Sequence, residues 1–297
     1  MEILLAMLVP AVLVGVLVGQ AASRWPRPVE APSLPPEELV EAATARGPVG
    51  RLLRRRTDPT RLTGLALTLA LTILGLGVLG VGLLLSMVRT DTGFARFDLS
   101  FARFGADNAS PWTTDVLRTV SRLGGYELIV VLGLVVALYE LRRLRRLSVV
   151  LFLVTVIAGQ FAAAETVKRL VDRSRPDLLN LTGFSGSSFP SGHATAAAAT
   201  FTAFALVLGR GRSHSTRAVL AGVAGGVAAA VAATRILLGV HWFTDVLAGV
   251  LLGWAWFALC SVAFGGAVLR FGAPVVDAEA VALARAEETS EAEGPAP

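Results

Sequence analysis

Apolar residues in this chain fall into long runs, without the strict alternation of a strand or the single stripe of a soluble amphipathic helix. Seven runs stand out, approximately Glu2 to Ala22, Leu62 to Val88, Glu127 to Leu141, Leu147 to Thr166, Ala194 to Leu208, Ala218 to Ala233 and Val246 to Val268. In lipid only a helix or a closed barrel satisfies every backbone donor and acceptor, and runs of this length predict helices. Several are rich in Gly and Ala, as in Ala221-Gly222-Val223-Ala224-Gly225-Gly226. Such stretches let helices approach closely and predict a compact bundle. The expected fold is all-α: a polytopic membrane bundle with a six-helix core over residues 62–271 and one extra N-terminal transmembrane helix over residues 1–22.

The polar segments complete the organisation. Residues 23–61 hold seven prolines and mixed charge, and read as a cytoplasmic linker with one short helix near residues 36–45. Residues 272–297 form an acidic tail ending in Gly-Pro-Ala-Pro, expected to be disordered and dispensable for catalysis. The first run has no basic segment before it. Cleavage after it would put Arg51, Arg54, Arg55 and Arg56 outside, so it reads as a retained helix and not as a cleaved leader.

Composition agrees with a membrane protein. Of 297 residues 54% are hydrophobic, and the mean hydropathy is +0.65. The net charge of +5 comes from arginines in short connections between apolar runs, which membrane orientation explains better than nucleic acid. Residues 23–61, the Arg142-Arg143-Leu144-Arg145-Arg146 turn and the Arg210 to Arg217 loop carry fifteen arginines. The connections on the other side carry nine arginines and Lys168. The first set is therefore expected in the cytoplasm, with the N-terminus outside in a multi-pass cell-membrane protein. Cys260, the sole cysteine, lies in an apolar run and reads as a small core residue.

Three short polar blocks carry the candidate chemistry: Lys168-x6-Arg175-Pro176, Pro190-Ser191-Gly192-His193, and Thr234-Arg235-x5-His241-x3-Asp245. All three fall on the expected outer side. A lysine point charge and a forked arginine give complementary geometry around a phosphate. Ser191 and Gly192 open a helix whose free amides and positive dipole end form an anion site. His193 at that mouth is placed to protonate a departing alkoxide. His241 and Asp245 are one helical turn apart, so the carboxylate can hold one ring nitrogen while the other acts as nucleophile. Arg235 can bind the same phosphate.

Each block also has a plainer reading: interfacial snorkelling cations, a serine N-cap before a buried histidine, and a structural ion pair. The three together favour a phosphoryl site. Arg169 and Arg173 have no comparable argument and read as ordinary interface charges, and His214 sits in the cytoplasmic loop with no role. No carboxylate cluster suggests a metal, and no cofactor is expected.

These blocks resemble the three motifs of the type 2 phosphatidic acid phosphatase superfamily, with Thr234 where that family usually has serine. The resemblance covers about Leu62 to Val268 and implies a metal-independent lipid phosphate phosphatase. In that scheme His241 attacks phosphorus, Asp245 orients it, and His193 serves the leaving oxygen. Lys168, Arg175, Ser191, the Gly192 amide and Arg235 hold the phosphoryl oxygens. The expected partners are the bilayer and a lipid phosphate such as phosphatidic acid, phosphatidylglycerophosphate or a polyprenyl phosphate or diphosphate.

Phe94, Phe97, Phe101 and Phe104 recur at helical spacing before the third run, and read as an interfacial segment near where lipid reaches the site. Three alternatives share the same anion cage. They are a vanadate-dependent haloperoxidase, against which the spans argue, a lipid phosphotransferase, and a non-enzymatic anion-binding membrane protein. The oligomeric state is not legible in the sequence.

Overall fold

The computed structural model describes residues 1–24, 62–144, 147–178 and 186–264. The expected helix near residues 36–45, most of the linker and the acidic tail lie outside the described residues. Nine α-helices occur among the described residues, with no strand. They are α1 (Glu2–Arg24), α2 (Leu62–Thr90), α3 (Asp98–Asp107), α4 (Pro111–Ser121), α5 (Tyr126–Leu144), α6 (Leu147–Val171), α7 (Gly192–Leu208), α8 (His214–Leu237) and α9 (Phe243–Ala263).

All seven apolar runs form helices among the described residues, the last of them ending at Ala263, and their capacity to span differs. Helices α1, α2, α6, α8 and α9 are each long and apolar enough to cross a membrane, and α5 makes a sixth candidate when joined to the preceding α4 segment across a 50° bend. Helix α7 has 17 residues, so it rises only about 26 Å. Its position explains why it can be short. Helices α5, α6, α8 and α9 all pack against it, and Ala194, Ala196, Ala197, Ala198, Ala199 and Ala203 are buried. A helix enclosed by protein need not match the thickness of lipid.

Glycines set two close helix crossings. On α9, a Cβ at Gly249 would lie 2.6 Å from Ser191 O, and one at Gly253 would lie 2.5 Å from Thr195 O. Only hydrogen at these positions lets α9 reach the start of α7. On the other side of α8, a Cβ at Gly15 would lie 3.0 Å from Gly222 O and one at Gly226 would lie 3.1 Å from Ala11 O. Residues 11, 15 and 19 thus meet 226, 222 and 218 in turn, and α1 runs antiparallel to α8. The N-terminal end of α1 then places Ile3 and Met7 in a cluster with Leu117, Leu237, Leu238 and Val240.

Two short helices, α3 and α4, close the same end of the bundle. Helix α4 begins at an N-cap, Ser110, whose Oγ accepts from Thr113 N, with Pro111 at the first turn. That signature is present in the sequence. A polar segment between two spans gave it no hydrophobic run to attract notice. At the opposite end Arg143 Nη2 donates to Arg210 O at 2.7 Å and Arg212 Nη2 donates to the Tyr139 hydroxyl at 3.0 Å. The two described arginine-rich connections therefore meet there, away from the three polar blocks.

Candidate active site

The three blocks converge at one end of the bundle, and each is joined to the other two. Arg175 Nη1 lies 3.2 Å from His241 Nε2, which joins the first and third. Ser191 N donates to Asp245 O at 2.9 Å, which joins the second and third. A Cβ built on Gly192 would lie 3.5 Å from Lys168 Nζ, which joins the first and second. The charges of Arg235, Lys168 and Arg175 all act on His193, as does His241.

Local structure holds each group in place. Lys168 stands on the last turn of α6. The chain beyond it is tied to the returning loop, with Ser188 N donating to Arg173 O at 2.7 Å and Ser188 Oγ donating to Ser174 O at 3.0 Å. Arg175 is fixed by carbonyls: its Nη1 donates to Val240 O at 2.7 Å and its Nε to Gly186 O at 3.1 Å. Burial lowers the Arg175 pKa from its ordinary value, and Asp245 opposes that shift. Arg235 is 2% exposed and donates through Nη1 to Ser121 Oγ at 2.6 Å. Thr234 spends its hydroxyl on Val231 O at 2.6 Å, within its own helix.

Ser191 occupies the N-cap of α7 yet makes no side-chain cap bond. Its Oγ is buried and has no hydrogen-bond partner among the described residues. A buried hydroxyl left in this condition costs about 1–3 kcal/mol unless a partner arrives. The N-cap explanation for this serine therefore fails, and an anion at the mouth of α7 would supply the acceptor.

His241 is 2% exposed, in the turn between α8 and α9. Its Nδ1 lies 2.8 Å from Ser188 O and 3.6 Å from Asp245 Oδ2. A carbonyl oxygen only accepts, so Nδ1 carries the hydrogen and Nε2 keeps its lone pair. Burial pushes the imidazole down to about 4, with Asp245 pulling upward and Arg235 and Arg175 adding to the descent. The ring is thus neutral near pH 7. Asp245 was expected to hold the ring by itself. The nearer acceptor is the Ser188 carbonyl, for which a sequence offers no signal.

A second correction concerns Arg173, read from sequence as an ordinary interface charge. Its Nη1 donates to Asp245 Oδ1 at 2.5 Å and to Thr244 Oγ1 at 2.8 Å, and its Nη2 donates to Asp98 Oδ2 at 2.7 Å. Asp98 also accepts from Thr244 N at 2.9 Å and from Thr244 Oγ1 at 2.7 Å. Arg169 does behave as expected, an exposed partner of Glu165 at 3.3 Å. The aromatic segment divides too. Phe94, Phe97 and Phe101 are exposed, Phe101 stacks on Phe243 at 4.7 Å, and Phe104 turns inward against the Leu117 cluster.

His214 lies at the other end of α8 from Arg235, and Cys260 is buried in the core. Among the described residues no three His, Cys, Asp or Glu side chains form a group able to hold a metal.

The chain is similar to known proteins in sequence and in fold. A sequence profile described as the PAP2 superfamily matches residues 147–268. Phosphatidylglycerophosphatase B of Bacillus subtilis (strain 168) is 31% identical over 157 residues, which cover 50% of this chain and 74% of that protein. Lipid A 1-phosphatase of Rhizobium etli is 37% identical over 119 residues, 36% of this chain and 47% of that protein, so the chain spans about half the length of this relative. A crystal structure described as the first transmembrane PAP2 type phosphatidylglycerolphosphate phosphatase, from Bacillus subtilis, superposes with a TM-score of 0.59 at 25% identity. That match covers 64% of this chain and 95% of the other.

Proposed function

This chain belongs to the PAP2 superfamily, and from that premise we propose that it is a multi-pass membrane phosphatase that removes a phosphoryl group from a lipid phosphate through a phosphohistidine. The observation that carries the reading is the state of His241: a neutral ring whose Nδ1 hydrogen faces Ser188 O and whose Nε2 lone pair faces Arg175. In the first step Nε2 forms a bond to phosphorus, the bond to the lipid oxygen breaks, and His193 gives that oxygen a proton. Asp245 and the Ser188 carbonyl stabilise the positive charge that develops on the ring. Lys168, Arg175, Arg235, the Ser191 hydroxyl and the Gly192 amide take up the growing charge on the equatorial oxygens. In the second step water loses a proton to His193 and attacks phosphorus, releasing phosphate and restoring Nε2. The protein's own cations supply the charge that a metal provides elsewhere, so the scheme needs none.

A lipid substrate follows from the surroundings. Phe94, Phe97 and Phe101 present an exposed aromatic face, and Asp98 between them is bonded to Thr244 beside the site. Tails held in the bilayer along this face would leave the headgroup at the cations. The arginine-rich connections lie at the other end of the bundle, which favours a site on the extracytoplasmic side of the cell membrane. The names of the relatives suggest headgroups from phosphatidylglycerophosphate to a phosphorylated glycolipid.

The test is phosphate release by the protein in detergent from phosphatidic acid, phosphatidylglycerophosphate, a polyprenyl diphosphate and lipid A, each with and without chelator. The expected result is chelator-insensitive release from at least one lipid, lost in His241→Ala, with a base-stable, acid-labile phosphoryl group trapped on the wild type. Release that survives His241→Ala or vanishes with chelator would overturn the reading. Transfer to an added alcohol in place of water would identify a phosphotransferase.

A further inference from the structure

Three segments distant in sequence meet in one buried cluster of charge. Asp98 comes from the start of α3, Arg173 from the loop after α6, and Asp245 from the first turn of α9. The guanidinium lies between the two carboxylates, 2.7 Å from Asp98 Oδ2 and 2.5 Å from Asp245 Oδ1. The Asp98 and Asp245 side chains are 6% and 0% exposed and that of Arg173 is 16% exposed, so water screens this cluster poorly. The Trp242 ring covers the guanidinium, with Arg173 Cζ 5.4 Å from its centroid.

Asp245 divides its two oxygens between different tasks. Oδ1 accepts from Arg173. Oδ2 accepts from Trp242 N at 2.9 Å and lies 3.6 Å from His241 Nδ1. Whatever draws negative charge toward Oδ1 weakens the attraction of Oδ2 for a proton on the imidazole. Arg173 does that, and Asp98 on its far side counteracts it.

We propose that Arg173 and Asp98 are positioning residues that set how strongly Asp245 acts on His241, and so fix the pH above which Nε2 is available to attack phosphorus. This rests on the phosphohistidine reading. The other charges facing the ring are Arg175 from the loop after α6 and Arg235 from α8, with His193 of α7 and Lys168 of α6 around the same pocket. All of these disfavour a proton on His241 when positively charged, whereas Asp245 favours it directly and Asp98 favours it from behind Arg173. Removing Arg173 therefore shifts the balance toward the imidazolium. Two neighbouring opposite charges shift a titration by about 1–3 units when direct, and an influence relayed through Asp245 should reach about one.

The experiment is the pH profile of kcat/KM for dioctanoyl phosphatidic acid in detergent, measured on the full chain. Titration of the substrate is common to every variant and does not move. In wild type the His241 limb should lie near 4, activity falling as pH drops and the ring takes a proton. In Arg173→Gln this limb should rise by about one pH unit, whereas Arg173→Lys, which keeps the charge, should return it most of the way. Should Arg173→Gln not fold because Asp98 is stranded, the double variant Asp98→Asn/Arg173→Gln removes both charges and should still show a rise, smaller because the opposing carboxylate is lost with the nearer guanidinium. An acidic limb that stays in place while activity merely falls would reduce the cluster to a structural tie and overturn the proposal. That outcome differs from a failure of the phosphohistidine reading, in which His241→Ala would itself release phosphate.

Discussion

Two helix crossings in this protein use the same packing device, and they serve the site in different ways. At the α7–α9 crossing, Gly249 and Gly253 bring α9 against Ser191 O and Thr195 O. At the α1–α8 crossing, Gly15, Gly222 and Gly226 bring two backbones nearly as close. In both, the absence of a Cβ trades side-chain burial for backbone proximity. The first crossing joins two elements that each carry site residues, Ser191 with His193 on one and Asp245 on the other. The second adds a helix that brings apolar residues, Ile3 and Met7 among them, against Leu237, Leu238 and Val240 behind the site. Close approach is thus a means of fixing chemistry in one place and of bracing it from behind in another.

Substitutions can break that comparison in order of severity. Gly249→Val places a carbon 2.6 Å from Ser191 O, and a shift of about 1 Å between Ser191 and Asp245 should cost about 100-fold or more in phosphate release. Gly222→Leu puts a side chain against Gly15 O and forces α1 away from α8. Overpacking of this kind costs about 1–3 kcal/mol, read as a lower unfolding temperature in detergent, while activity should fall less than about tenfold. Equal losses in the two variants would remove the distinction between fixing and bracing. Met7→Ala sharpens the second half: with Met7 only 3% exposed, truncation should destabilise by about 2–3 kcal/mol and change activity less than about threefold.

Much of this was legible in the chain itself. The seven helices announced themselves because lipid demands long apolar runs, and the three blocks because phosphoryl chemistry needs particular side chains at set spacings. Helix α4 went unnoticed although Ser110-Pro111 marks its start, since polarity between two spans reads as connection. Arg173 and Asp98 were missed for a deeper reason. Their partnership joins residues 75 positions apart, and Asp98 sits among phenylalanines where a charge looks like the wet side of an interfacial helix. The inward turn of Phe104 was hidden likewise, because periodicity gives a face and not its direction.

The oxygen nearest the His241 ring belongs to the main chain of Ser188. An alanine scan leaves every peptide carbonyl intact, so such a scan would score Ser188 by its hydroxyl and pass over the atom that selects the tautomer. Only rerouting that loop, or replacing its amide linkage with an ester or alkene, can interrogate this contact. Catalogues of essential side chains will understate how much of this site is built from plain backbone.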